Sequence, residues 1–180
     1  MAKIYGSSTF RILGTAAAAQ NLFTIENGST KIVVIRELTI QSDQTAALTG
    51  VSPLVKATRL AAFPTGGTVL VKVPFNLGNP SESTIILRGA NASDGGVASA
   101  ITATPADTIY QQYLLRNHTL VGQVVMPTMP LLPKLNFKQG EELDVTLGYN
   151  QALLVHLLAS AAGSNPATNF YVINCIWEEI

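Results

Sequence analysis

Cysteine is nearly absent from this chain. Cys175 is the only one in 180 residues, so no intramolecular disulfide can staple the fold, as expected of a protein made in a reducing cytosol. Ile173, Ile176 and Trp177 surround it in sequence, which reads as a buried thiol acting as a small apolar side chain. Charge is scarce too. Asp, Glu, Lys and Arg together make up 12% of the chain, about half the usual share, and 11 basic residues balance 11 acidic ones. That balance supplies no net field to draw nucleic acid or an anionic membrane surface. Basic residues are scattered singly, without aromatic interleaving. There are two histidines, His118 and His156, too few and too far apart for a zinc site with ligand-like spacing. Long apolar runs are missing as well. The longest, residues 152–162, is interrupted by His156 and Ser160 and falls short of the roughly 20 residues a helix needs to span a bilayer. Residues 1–8 never become the apolar stretch of a secretory signal. The expectation is a non-exported chain without membrane, nucleic-acid, metal or cofactor partners.

What is abundant is apolar side chain, 47% of the sequence, laid out with the period of strands. With so little charge, the surplus apolar surface is expected to be buried between subunits, making a homo-oligomer. Residues 1–20 are poor in large apolar groups and read as an extended N-terminal arm, ordered only where a neighbour or the domain's own surface holds it down, with Phe10, Ile12 and Leu13 as possible anchors. Residues 21–180 read as a single domain. In it, a strand over 22–27 ends at the turn dipeptide Asn27-Gly28. A long strand over 31–41 passes from a covered centre to a half-exposed margin. Strands over 55–63 and 68–73 are joined by Pro64-Thr65-Gly66-Gly67, and Val69, Val71 and Val73 form one face of the second, opposite Lys72.

Further on, short strands are expected over 84–88, 109–116 and 120–126. Residues 127–133, with three prolines, read as an extended edge or connector. Residues 142–148 alternate polar and apolar side chains, Tyr149-Asn150-Gln151 breaks the pattern, and a continuous apolar run follows over 152–159. Two such runs across a short polar link read as a β-hairpin. A last strand over 169–179 is apolar on both faces and belongs mid-sheet. The fold class is therefore all-β, an antiparallel jelly-roll-like β-sandwich of about 8–10 strands.

Catalytic constellations are not found. His156 lies in an apolar strand, where a packing or subunit-contact role is the ordinary one, and His118 lies in a polar turn. No nucleophile elbow accompanies any serine. Glu141-Glu142 and Glu178-Glu179 are adjacent residues on strands, so each pair splits between two faces and cannot share one site. They read as solvated strand ends. Gly66-Gly67 and Gly95-Gly96 lack a following helix or a phosphate-binding lysine. Asn27, Asn91 and Asn117 each open an Asn-X-Ser/Thr triplet, a chance match in a non-exported chain. The expected site inventory is catalytic none, cofactor none, metal none, and the chain is expected not to be an enzyme.

The early long strand Lys31-Ile32-Val33-Val34-Ile35-Arg36-Glu37-Leu38, the turn-and-strand Gly140-Glu141-Glu142-Leu143-Asp144-Val145 and the closing strand ending Cys175-Ile176-Trp177-Glu178-Glu179 carry a family likeness. With the N-terminal arm, this layout resembles the jelly-roll virion proteins of tailed bacteriophages, above all the capsid decoration or cement proteins, over most of residues 21–180. The resemblance implies a non-enzymatic protein, homotrimeric by preference, that sits on the outer capsid surface of a virion and bridges subunits of the major capsid protein. It also implies synthesis in the host cytoplasm and supplies no catalytic residues. A receptor- or carbohydrate-binding jelly-roll module of a tail fibre, with Tyr110, Tyr113 and Tyr149 as candidate contacts, and a tail or neck adaptor are the alternatives.

Overall fold

The computed structural model describes residues 3–14, 19–44, 54–76, 83–91, 100–113, 129–130, 145–158 and 169–180. The regular elements among them are all strands. They are β1 (Lys3–Ser8), β2 (Ile12–Leu13), β3 (Gln20–Asn27), β4 (Val33–Gln44), β5 (Leu54–Leu60), β6 (Thr65–Gly66), β7 (Thr68–Val69), β8 (Val73–Pro74), β9 (Ile86–Gly89), β10 (Ile101–Thr102), β11 (Pro105–Tyr113), β12 (Met129–Pro130), β13 (Val145–Leu147), β14 (Gln151–Leu157) and β15 (Asn169–Glu179). Every pairing is antiparallel. The all-β antiparallel sandwich expected from the alternation is thus observed, with more and shorter strands than anticipated. The proline-rich stretch contributes β12 at the margin of a sheet, where its missing donors do least harm. The strand expected over 120–126 lies outside the described residues.

Two sheets make the sandwich. Sheet A runs β12-β4-β15-β1-β8, with β13 also on β4 and β2 also on β15; sheet B runs β11-β5-β14-β3-β9-β7. A separate ribbon pairs β6 with β10. Neighbours in sequence repeatedly change sheet, so that β4 lies beside β15 in one sheet while β5 lies beside β14 in the other. Between the sheets, Phe23 and Ile25, Leu38 and Ile40, Leu153 and Val155, and Ile173, Cys175 and Trp177 form one buried core. Trp177 stacks on Tyr5 of β1, with ring centroids 5.6 Å apart.

Three expectations change. The expected hairpin is not formed over its described part, 145–158, because β13 pairs with β4 in sheet A while β14 sits between β3 and β5 in sheet B. The link is a corner between sheets. Asn150 turns it at φ 62°, a left-handed conformation that asparagine tolerates. The run Ala152–Leu157 is buried throughout, so it needs a neighbour strand on each edge and cover on both faces, which one hairpin partner cannot supply.

The arm is the second change. Lys3–Ser8 pair with β15 on one side, and Tyr5 and Gly6 pair with β8 on the other, so these residues are held on the chain's own sheet. Tyr5 and Ile12 are buried, Leu13 is half-buried and Phe10 is exposed.

The third concerns 68–73, which divides into β7 on sheet B and β8 on sheet A. Leu70 turns inward at the crossing, while Val69, Val71 and Val73 turn out.

A candidate interaction face on sheet A

The corner chemistry fixes how the two sheets meet. Asn27, fully buried at the end of β3, donates from Nδ2 to the carbonyls of Lys31 (2.8 Å), Leu147 (2.9 Å) and Gly148 (3.1 Å). Its Oδ1 accepts from the Ser29 N–H and hydroxyl, and its backbone carbonyl accepts from Asn150 N at 2.8 Å. One side chain therefore ties the β3–β4 corner to the β13–β14 corner. The amide expected to mark a simple turn is buried and fully engaged.

The two outer faces of the sandwich differ. On sheet B most outward residues of β3, β5 and β14 are buried, among them Thr24, Glu26, Thr58, Leu60, Ala152, Leu154 and His156, while Lys56 is half-buried. Leu60, Ala152 and Leu154 form a second apolar cluster with Ala103 packed on it. Beside them Arg88 donates to Glu26 at 2.7 Å and Thr24 bonds the same carboxylate. His156 lies on this face opposite Lys56, buried, with Nε2 unpartnered. Burial, and then the Lys56 charge, push its pKa below the ordinary 6.5. It is a neutral packing histidine on the covered side of sheet B.

Sheet A is open. Because Tyr5 and Trp177 point into the core, their neighbours Ile4, Gly6, Ile176 and Glu178 point out. Ile4 is 44% exposed, Val73 54%, Phe75 63%, and Val71, just before β8, 80%. Ile32 and Ile180, 50% and 64% exposed, exchange both backbone hydrogen bonds beyond the end of the β4–β15 ladder. Phe75 lies over Gly6: a Cβ added there would stand 2.9 Å from the phenyl Cε2. The charges of this face gather on the β4 side. A register shift opposite Ile176/Trp177 bulges Arg36, and its Nε donates to Glu178 at 2.7 Å.

Among the described residues the other candidates lie apart from one another. Cys175 is buried and its thiol is pushed far up by desolvation, the state of an inert apolar filler. Tyr149 is exposed in the β13–β14 corner, whereas Tyr110 is half-buried in β11 and packs on the main core, so these two do not form one aromatic platform. The side chain of Tyr113, and His118, Glu141, Glu142 and the Gly95-Gly96 pair, lie outside the described residues. Glu178 and Glu179 do split between faces, but Glu179 is not a solvated end. It is buried, bound by Lys31 at 2.9 Å and by the Trp177 indole N–H at 3.3 Å. Among the described residues no group of three or more His, Cys, Asp or Glu is placed to hold a metal ion, and no helix is long and apolar enough to cross a membrane.

Gly6 and Phe75 belong to no motif that marks a site. The available signal was the alternation Val71, Val73, Phe75 continuing through Pro74. No family model, curated protein or solved structure matches the chain.

Proposed function

We propose that the chain is a non-enzymatic structural protein of a phage virion, which decorates the outside of the capsid lattice and stabilises it by bridging major capsid subunits. The observation that carries this reading is that, among the described residues, Ile4, Val73, Phe75, Ile32 and Ile180 lie exposed on the outer side of sheet A. A chain with only 12% charged residues that leaves such apolar groups exposed is suited to an assembly, in which they are buried between subunits. The pairing of β4 with β15 in one sheet and β5 with β14 in the other is compatible with a jelly-roll form of the sandwich.

The test is particle composition. Virions purified from infected cells are expected to carry this chain on their outer surface, cross-linked to the major capsid protein. Particles made without it are expected to rupture at lower temperature. Its absence from purified particles sinks the proposal, and cross-links confined to tail or neck proteins assign it there instead.

A further inference from the structure

Resting on the assembly reading above, we infer that the outer face of sheet A is buried against a second copy of this chain, with Phe75, seated on Gly6, as the central anchor. Three observations single out that occupant. The first is extent. Ile4, Ile32, Val71, Val73, Phe75 and Ile180 expose 44–80% of their surface, on the order of 500 Å² together. That reaches the upper range for a lone monomer and approaches the roughly 800 Å² one partner contributes to a stable complex.

The second is charge. No charged residue occurs in 4–8 or 73–76, and the nearby Arg36 is already matched to Glu178. Glu37, opposite Ile176, also lies on the β4 side, so the part of the face around Phe75 is neutral and compatible with itself, and a chain of zero net charge puts no long-range repulsion between copies.

The third is the edge beside it. Phe75 donates its N–H to Ile4, so the alternate residue, Pro74, turns its backbone to the free side of β8, where it has no N–H to offer. An incoming strand therefore finds a poor edge, and the face is left to make the contact. Phe75 is suited to the anchor role because the missing Cβ of Gly6 leaves room for its ring, while most of the residue remains solvent-exposed. An aromatic group held in place before association loses little freedom on burial.

Light scattering after size exclusion, across a concentration series of the full chain, tests this. The wild type is expected to have at least twice the mass of one chain. Phe75→Asp and Val73→Asp are expected to fall to a single chain, with unchanged circular dichroism. Val69→Asp, on β7 of sheet B, is expected to stay associated. Should an aspartate variant fail to fold, Ile4→Cys provides the check. Native Cys175 is buried, so oxidation should link two copies through the new thiol alone.

A monomeric wild type, or a Phe75→Asp protein that associates like the wild type, overturns the inference. A monomer that still co-purifies with virions overturns it while leaving the virion proposal standing. An oligomer dissociated by Phe75→Asp but absent from virions supports it and removes the virion proposal.

Discussion

Asn27 shows how much of the sandwich hangs on one side chain. It donates to three carbonyls on two corners and accepts twice from Ser29. Asn27→Ala would strand the buried Leu147 carbonyl and release both corners. A loss of about 2–4 kcal/mol is expected, read as a lower urea midpoint with an unchanged slope. A variant as stable as the wild type would show that the corners stand without it.

His156 contributes a pH signature. Its folded pKa lies below the ordinary 6.5 because burial and Lys56 disfavour the imidazolium, so below 6.5 the unfolded chain binds this proton more readily than the folded one. Its contribution is fully present above 6.5 and is lost as pH falls from there through the lowered folded value. His156→Gln is expected to flatten urea-midpoint profiles over that window relative to wild type. Parallel profiles would refute the assignment.

Among the elements, β8 is the most telling. It is two residues long, lies at the margin of sheet A, and carries Pro74 between two outward apolar side chains. Proline blunts an edge that would otherwise template strand addition. Pro74→Val restores the donor without changing the apolar character. Faster concentration-dependent aggregation is expected, followed by turbidity at constant temperature, with little change in unfolding midpoint. If aggregation is no faster, the edge is protected by something other than proline.

The same element shows what alternation conveys. Val69, Val71 and Val73 are all exposed, as their spacing allows, but the stretch crosses from sheet B to sheet A, so they do not line one sheet. Period 2 separates two faces without saying which is covered. The last strand, by contrast, was legible almost to the residue, because an apolar run of that length with aromatic and β-branched side chains fits only the middle of a sheet. It occupies Asn169–Glu179 between β4 and β1.

For the whole molecule, the N-terminal residues matter to the fold itself. β1 fills the place between β15 and β8, and Tyr5 is buried against Trp177. Removing residues 2–8 withdraws a full ladder and one stacked aromatic pair. Burial and stacking of Tyr5 alone amount to about 2–4 kcal/mol, so a clear drop in thermal midpoint is expected. An unchanged midpoint would mean that these residues serve only as an arm.

The sequence by itself determined the class of fold, the absence of disulfide stapling, the position of the long strands and the inert character of Cys175, because each follows from local period or composition. Tertiary structure alone decided that the 145–158 stretch turns a corner, that Glu179 is buried, and that Phe75 stands exposed on Gly6. Those outcomes depend on which strands become neighbours. That choice is made by burying Trp177, Phe23 and their partners in one core, over separations in sequence that no local pattern encodes.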